Sequence, residues 1–251
     1  MIEYNPFSLA DKEVLVMGAS SGIGRQVAIE CSKLGAHVHI AARSEDKLKE
    51  TMTMLEGASH SMHICDITDE IQIDTLVAEL PQLDGFCNCV GVSKVMFIKF
   101  LNKRVLDEVM NANAISPILL MQRLVKKKKL MNPSSVVFIS SLSGVYTVHF
   151  GDSLNATSKA AINGFVKSAA LDLGTQGIRV NAVNPGIVAT DAAFAGTILS
   201  EDEMNEKQQY FPLKRFGRPE DIASVVSFLL SDASTWITGV SVPVDGGYTI
   251  L

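Results

Sequence analysis

The chain has 251 residues, of which 47% are hydrophobic, 20% charged and 6% aromatic, and its formal net charge is −5. This composition is typical of a compact α/β protein and excludes a disordered or collagen-like chain, while the acidic balance argues against nucleic acid as the main partner. No apolar run reaches the roughly 18 residues that a membrane-spanning helix needs, and no signal-peptide pattern opens the chain, so we expect a soluble, cytoplasmic protein without a membrane partner.

A glycine-rich turn follows the first predicted strand, Val14 to Met17. It reads Gly18-Ala-Ser-Ser-Gly22-Ile-Gly24 and leads into a helical pattern that continues to about Leu34. Glycines let a ligand approach the backbone closely, and the first N–H groups of a helix attract phosphate. The spacing differs from a P-loop and from the common G-x-G-x-x-G fingerprint. The turn predicts a phosphate site, although a purely structural turn could use the same glycines.

The second predicted strand, His37 to Ala41, ends in Ala42-Arg43-Ser44 without an acidic residue. In nucleotide-binding sheets an acid at this place binds the free 2′-hydroxyl of the adenosine ribose. A guanidinium and a hydroxyl are suited instead to a 2′-phosphate. Arg43 and Ser44 therefore favour NADP(H) over NAD(H). The alternative is that Arg43 is an ordinary surface residue at the start of the next helix.

The following predicted strands also end in residues suited to a ligand crevice. Residues 61–65 lead to Asp66-Ile67, and a strand through 86–90 contains Asn88 and ends at Gly91. With right-handed crossovers, the carboxyl ends of parallel strands lie along one crevice. We therefore predict one domain, residues 1–251, built as an α/β, doubly wound parallel sheet of about seven strands with helices on both faces.

The second half of the chain supplies a group of polar residues. A strand, Val136 to Ile139, ends in Ser140-Ser141, and the helix that begins near Asp152 carries Asn155 and Lys159. Residues four apart share a helix face, so Ser141, Asn155 and Lys159 are predicted to meet. A long helical pattern over 103–129 contains Asn113, which could also be a solvated or bend residue, and Pro117, which predicts a kink.

In this order the motifs resemble the short-chain dehydrogenase/reductase family, over essentially the whole chain. The resemblance implies a Rossmann-type fold, hydride transfer between a nicotinamide cofactor and a small-molecule carbonyl or alcohol, and a homo-oligomer, typically a tetramer. The family motifs are matched by Met17 to Gly24 with methionine in place of threonine, Asn88 to Gly91, Asn113, Ser141 three residues before Gly144, Lys159, Pro185-Gly186 with Thr190, and the late Asp245-Gly246-Gly247.

The resemblance also implies a role for each matched residue. Ser141 would hydrogen-bond the substrate carbonyl, Lys159 would hold the nicotinamide ribose and lower the pKa of a catalytic tyrosine, and Asn113 would position a relay water. The residues implied to bind the cofactor are Gly18, Ser20, Ser21, Gly22, Ile23, Gly24, Arg43, Ser44, Asp66, Ile67, Asn88, Gly91, Lys159, Pro185, Gly186, Val188 and Thr190.

The chain departs from the family at the proton donor, because Asn155 occupies the tyrosine position. An amide does not titrate near neutral pH, and general acid–base catalysis is typically worth about 10² to 10⁴ in rate. Two histories explain Asn155. In the first, a tyrosine was exchanged by accident or by design; the presence of Ser141, Lys159 and Asn113 favours this history. In the second, the chain is a natural relative whose chemistry was lost or altered. Tyr146 lies off the helix face of Lys159, so we interpret it as a pocket-wall residue.

Two functions remain open at this point. The first is an NADP(H)-dependent oxidoreductase impaired at Asn155, and the second is a dinucleotide-binding sensor or scaffold without turnover.

Weakly periodic residues near 191–212 are predicted to form a substrate lid. The Cys87 and Cys89 pair has no further ligands at metal-binding spacing, so we predict no metal site and read both as core thiols.

Overall fold

The computed structural model describes residues 5–190 and 201–250, and these contain one parallel sheet of seven strands. The order across the sheet is β3-β2-β1-β4-β5-β6-β7, and every neighbouring pair is parallel. The predicted doubly wound parallel sheet is confirmed. The strands are β1 (Glu13–Met17), β2 (His37–Ala42), β3 (Ser61–Ile64), β4 (Leu83–Asn88), β5 (Leu130–Ile139), β6 (Ile178–Pro185) and β7 (Ser241–Val244).

Helices connect the strands and cover both faces of the sheet. None of the helices in the described ranges is long and apolar enough to cross a membrane. Their bounds are α1 (Gly22–Lys33), α2 (Glu45–Thr53), α3 (Glu70–Glu79), α4 (Lys103–Met110), α5 (Ser116–Lys126), α6 (Ser153–Leu173), α7 (Glu201–Gln209) and α8 (Pro219–Leu230).

The long helical pattern over 103–129 is interrupted where the sequence predicted an irregularity. A π-helical turn, Asn111–Ile115, separates α4 from α5. Pro117 lies just after this turn, and proline lacks the N–H that would continue an α-helix and clashes with the carbonyl four residues earlier, here that of Asn113. The prediction of a break at Pro117 is therefore confirmed, and the break widens the helix at Asn113.

Two apolar cores lie on opposite faces of the sheet, because successive strand residues point to opposite sides. On one face α3, α5 and α6 pack against strand residues such as Leu15 and Phe86. On the other face α1 and α8 pack against residues such as Val14 and Val137. The strands are covered on both sides and are accordingly rich in buried apolar residues.

The neighbouring strands β1 and β4 form the topological switch point of the sheet. The chain continues from β1 towards β2 on one side and from β4 towards β5 on the other. In open α/β sheets this divergence leaves a crevice outside the carboxyl ends of the strands, where ligands bind. The fold therefore places the turns after β1 and β4 at the expected ligand site.

A chain of hydrogen bonds crosses the other end of the first three strands. Glu13 Oε2 lies 2.7 Å from His39 Nε2, and His39 Nδ1 lies 2.6 Å from Ser61 Oγ. Ser61 Oγ also lies 2.8 Å from His63 Nε2, and His63 Nδ1 lies 3.1 Å from Glu79 Oε2. This polar chain joins β1, β2, β3 and the last residue of α3 at the edge of the sheet.

Candidate active site

The glycine-rich turn between β1 and α1 is too tightly packed for side chains at two of its glycines. A Cβ placed on Gly24 would lie 2.2 Å from the carbonyl oxygen of Gly18. Gly18 has a φ of +89°, a backbone conformation that residues with a Cβ rarely adopt, and its own Cβ would lie 3.0 Å from the backbone of Cys89. The turn thus brings the backbones of β1, α1 and the end of β4 into direct contact.

Two side chains donate hydrogen bonds to carbonyl groups of this turn. Arg25 Nη2 donates to the Ser20 carbonyl at 2.7 Å, and Thr51 Oγ1 donates to the Ala19 carbonyl at 2.9 Å. Ser21 is the N-cap of α1 but makes no side-chain capping hydrogen bond. The first N–H groups of α1 are left without a side-chain cap, and such a helix N-terminus binds anions well.

A cavity of about 450 Å³ lies against this turn and extends over the ends of β2, β3 and β4. It brings together most of the residues that the sequence predicts as cofactor-binding. Those that line it are Gly18, Ser20, Ser21, Gly22, Ile23, Gly24, Arg43, Ser44, Asp66, Ile67, Gly91 and Thr190.

The far end of the cavity, beside β2, carries two cationic side chains. Arg43 is 71% exposed at its side chain and lies 3.9 Å from an Asp66 carboxylate oxygen. Lys47, which sequence analysis missed, lines the same cavity from α2. Its signal was present in the spacing, because Lys47 lies four residues after Arg43 in the first turn of a helix predicted to begin near Glu45, close to the strand end that carries Arg43. The cavity therefore ends in two cations and the Ser44 hydroxyl.

The other predicted cofactor residues do not line this cavity; they lie at or just after the ends of β4 and β6, apart from Lys159 on α6. Asn88 is buried, and its side-chain oxygen has no hydrogen-bond partner among the described residues. A Cβ on Gly186 would lie 3.1 Å from the Asp245 Cα, so the turn after β6 is closely packed. Asn88, Lys159, Pro185, Gly186 and Val188 belong to this second group.

Lys159 is the buried cation of the site. Its Nζ donates to the Ile139 carbonyl at 2.8 Å, and burial lowers the pKa of the amine to about 8. A Cβ on Gly91 would lie 3.2 Å from this Nζ, so glycine at that position leaves room for the amine. The amine is therefore placed beside the end of β4, next to the cavity.

Asn113 is buried and clamps the chain that follows β4, which contradicts the alternative of a solvated residue. Its Oδ1 accepts from the Val92 N–H at 2.7 Å, and its Nδ2 donates to the Val92 carbonyl at 2.9 Å. Nδ2 also donates to Ser158 Oγ at 3.0 Å, one residue before Lys159. Asn113 thus joins the widened turn between α4 and α5 to α6.

Ser141 and Asn155 are both half-buried at the ends of the elements that carry them. Ser141 Oγ accepts from the Ser143 N–H at 3.1 Å, so its own proton is available to a ligand. Asn155 lies in the first turn of α6, one helical turn before Lys159. The side chain one helical turn before Lys159 is therefore an amide.

Tyr146 does not line this cavity, and its interpretation as a wall of the substrate pocket stays a prediction. Its hydroxyl donates to the Ser241 carbonyl at 2.8 Å and ties the loop after β5 to β7.

The predicted substrate lid near 191–212 falls partly on residues 191–200, which lie outside the described residues. Within the rest of this segment, residues 201–209 form α7.

All four cysteines are free. The Sγ atoms of Cys87 and Cys89 lie 3.4 Å apart, so both side chains point to one face. Cys87 lies in the core, and Cys89, just after the end of β4, packs against that core and also lines the cavity. Among residues 5–190 and 201–250, no cluster of histidine, cysteine or acidic side chains is arranged to hold a metal ion.

Comparison with known proteins decides the family. The family model described as enoyl-(acyl carrier protein) reductase matches residues 18–249. The 3-oxoacyl-(acyl-carrier-protein) reductase of Rickettsia felis is 34% identical over 245 residues, which cover 95% of this chain and 97% of that protein. The chain belongs to the short-chain dehydrogenase/reductase family.

Other short-chain dehydrogenases/reductases agree with this assignment. L-xylulose reductase of Caenorhabditis elegans is 31% identical over 254 residues, covering 97% of this chain and 98% of that one. The crystal structure of an actinorhodin polyketide ketoreductase with NADPH superposes with a TM-score of 0.88 at 25% identity, covering 96% and 98% of the two chains. The family is therefore one of oxidoreductases that act on different carbonyl compounds.

Proposed function

We propose that this protein is an NADP(H)-dependent oxidoreductase that interconverts a ketone and a secondary alcohol, and that Asn155 impairs its proton transfer. The observation that carries the proposal is the position of Lys159, whose buried amine lies beside Gly91 at the end of the cavity. Burying an amine without an acidic partner is costly, and this amine, bonded to the Ile139 carbonyl, lies next to the cavity.

The residues of the cavity fit a dinucleotide. The glycine turn leaves room only for backbone, and the first N–H groups of α1 suit a pyrophosphate. The unpartnered Asn88 oxygen offers an acceptor to a bound hydroxyl. When bound, the nicotinamide would supply or accept the hydride. The residues proposed to hold the remaining parts are Asp66 and Ile67 for the adenine, Lys159 for the ribose, and Pro185, Gly186, Val188 and Thr190 for the carboxamide and pyrophosphate.

The cationic end of the cavity supports NADP(H) over NAD(H). Arg43 and Lys47 are both cations, Ser44 adds a hydroxyl, and the strand end carries no acid that would bind the free ribose hydroxyl. Guanidinium and ammonium groups bind phosphate through charge-assisted hydrogen bonds. The structure of the related ketoreductase with NADPH agrees with this choice.

The remaining side chains bind and polarise a carbonyl but do not protonate it. Ser141 can donate its hydroxyl proton in a hydrogen bond to the carbonyl oxygen, and Lys159 supplies positive charge nearby. The Asn155 amide can donate a hydrogen bond but cannot release a proton near neutral pH. The expected result is a site that binds the cofactor and a ketone while the transfer of the proton is slow.

The test is the Asn155→Tyr variant assayed by NADPH consumption with a panel of ketones. The names of two relatives, 3-oxoacyl-(acyl-carrier-protein) reductase and polyketide ketoreductase, favour a ketone on an acyl chain, and that of L-xylulose reductase favours a sugar. The panel therefore compares 3-oxoacyl thioesters with ketoses. No NADPH consumption with any member would contradict the proposed enzyme.

A second function is favoured by Asn155 itself. A protein that binds NADPH without turnover would act as a sensor or scaffold, and an amide at the proton-donor position is compatible with that role. The two functions separate in the same experiment, because a sensor binds NADPH in fluorescence titrations but gives no turnover after Asn155→Tyr.

The expected assembly and location stay predictions. Family resemblance implies a homotetramer in the cytoplasm that acts on a small molecule. Light scattering on the purified chain measures the molar mass, and a monomer of 27.1 kDa would contradict the tetramer.

A further inference from the structure

The side chain of Asn163 on α6 is buried at the point where four elements meet. It is 5% exposed and lies one helical turn after Lys159. Its Nδ2 donates to Ser140 Oγ at 2.6 Å and to the Lys159 carbonyl at 2.8 Å. Its Oδ1 accepts from Ser241 Oγ at 2.6 Å and from Asn184 Nδ2 at 3.2 Å. The amide therefore uses its two donors and two acceptors.

The partners of Asn163 reach the backbone of both catalytic candidates. Ser140 Oγ donates to the Lys159 carbonyl at 3.0 Å, so that carbonyl accepts from two side chains. Asn184 Nδ2 also donates to the Ser141 carbonyl at 2.5 Å. We call Ser140, Asn163, Asn184 and Ser241 the Asn163 network. It binds the backbone of Ser141 on one side and the backbone of Lys159 on the other.

This arrangement fixes the distance between two elements that must cooperate. Ser141 follows β5, whereas Lys159 lies on α6, and a loop of the chain separates them. The Lys159 amine is bonded to the Ile139 carbonyl, which belongs to β5 as well. The Asn163 amide is fully bonded, whereas the Oδ1 of Asn184 has no partner among the described residues. Displacing Asn163 would leave further buried groups unpaired, so its four bonds resist such a displacement.

We propose that Asn163 is a positioning residue, which sets the placement of Ser141 and Lys159 through the Asn163 network. The proposal rests on the proposed function for its catalytic consequence. Asn163 does not line the cavity, so it acts through the two residues whose backbone it holds. Buried bonds among β5, α6, β6 and β7 could serve stability alone, and the test is designed to separate the two roles.

Asn181 provides the matched control. It is a fully buried asparagine on β6 whose Nδ2 donates to the Ile237 carbonyl at 3.0 Å and whose Oδ1 accepts from the Val240 N–H at 3.2 Å. It ties β6 to the chain before β7 without a bond to Ser141 or Lys159. Asn163→Leu and Asn181→Leu each remove a buried amide of the same size, so both should lower the melting temperature.

The first measurement does not depend on turnover. For each variant, the free energy of unfolding is measured as a function of pH, with Lys159 present and with Lys159→Met added. The difference between the two curves reports the protonation of Lys159, and the pH at its midpoint follows the pKa of the amine. Asn163→Leu should move this midpoint by at least about half a pH unit, because loosening α6 admits water to the amine. Asn181→Leu should leave the midpoint in place. Equal midpoints in both variants would overturn the proposal.

The second measurement uses turnover in the Asn155→Tyr background. Asn163→Leu should lower kcat by roughly 10²-fold with the carbonyl KM changed less than about threefold, since small misplacements of catalytic groups have such effects. Asn181→Leu should keep kcat within about threefold. A kcat loss shared equally by both variants would overturn the proposal. Absence of turnover in Asn155→Tyr itself would contradict the proposed function, and the first measurement would still decide the role of Asn163.

Ser241→Ala covers the case in which Asn163→Leu does not fold. It removes one hydroxyl from the Asn163 network and leaves the other three residues in place. A kcat reduced by about tenfold, with a shifted Lys159 midpoint, would support the positioning role. Unchanged kcat and midpoint in a folded Ser241→Ala would contradict it.

Discussion

The cofactor half and the catalytic half of the crevice are specified in different ways. Around the β1–α1 turn the backbone itself forms the site, and Gly24 has no room for even one carbon. Around α6 the proposed site depends on side chains, Asn155 and Lys159 on the helix and Ser141 just after β5. We therefore expect a substitution at Gly18 or Gly24 to disturb the fold, and one at Ser141 or Asn155 to change the chemistry while the fold stays intact. On this view a chain can keep the crevice while the residue at the proposed proton-donor position changes.

Restoring the proton donor should give the largest effect. Asn155→Tyr is expected to raise the rate of NADPH consumption by about 10² to 10⁴, the usual contribution of a positioned general acid. The matched control is Asn155→Phe, which adds the same ring without the hydroxyl and should give no gain. Steady-state kinetics with a 3-oxoacyl thioester measure both. Equal rates for the two variants would show that the ring, and not its acidity, matters.

Adding one methyl group to the glycine turn should break the cofactor half. Gly24→Ala places a Cβ 2.2 Å from the Gly18 carbonyl oxygen, and such overpacking costs roughly 1 to 3 kcal/mol of stability. NADPH affinity should fall by at least about tenfold, because the turn must shift. Gly164→Ala is the control, since a Cβ on this α6 glycine meets no atom within 4 Å. It should stabilise the chain by about 0.5 to 1 kcal/mol. Unfolding curves and fluorescence titration measure the pair.

Removing a cation from the far end of the cavity should change cofactor selectivity. Arg43→Ala and Lys47→Ala are each expected to weaken NADPH binding by roughly tenfold and to leave NADH binding unchanged, because only NADPH carries the 2′-phosphate. Lys49→Ala on the same helix is the control, since Lys49 pairs with Glu45 outside the cavity. Tighter or equal NADH binding by the unaltered chain would contradict the assignment of Arg43.

Lys159 is also expected to make the stability of the chain depend on pH. Burial lowers its pKa from 10.5 to about 8, so between these pH values the unfolded chain binds more protons than the folded one. Stability should therefore rise as pH increases from about 8 to 10.5, by at most about 1.4 kcal/mol per pH unit. Subtracting the stability–pH curve of the Lys159→Met variant removes the contributions of the other titrating groups. A flat or falling difference would show that the amine is not desolvated.

The fold could be predicted because its signals are local. Strand ends, glycine turns and helix patterns lie within a few residues of each other, and the turn after β1 has one packing solution. The break at Pro117 was visible for the same reason. Strand bounds were less certain: β4 begins at Leu83 and ends before Cys89, because pairing with β1 and β5, and not the apolar run, sets its length.

The contacts within the site could be predicted only in part. Motif order placed Ser141, Asn155 and Lys159 on the correct elements, but it gave no indication that Asn163 joins β5, β6 and β7, since those partners are distant in the chain. The hydrogen bonds of Asn113 could not be predicted either, because its partner Val92 is 21 residues away in the sequence and meets it only in the folded chain. Lys47 could have been found from its spacing to Arg43.

The polar chain at the opposite end of the sheet also fixes the state of one histidine. Its four contacts run from Glu13 to Glu79 through His39, Ser61 and His63. Burial lowers the pKa of His39, which favours its neutral ring with one N–H and one acceptor nitrogen. Because the Glu13 carboxylate can only accept, the His39 N–H lies on Nε2, and Nδ1 accepts from the Ser61 hydroxyl. Nitrogen NMR should find the His39 proton on Nε2, and Ser61→Ala should remove the donor to Nδ1 without moving that proton. The polar chain thus selects one tautomer of a buried ring, at the end of the sheet away from the cavity.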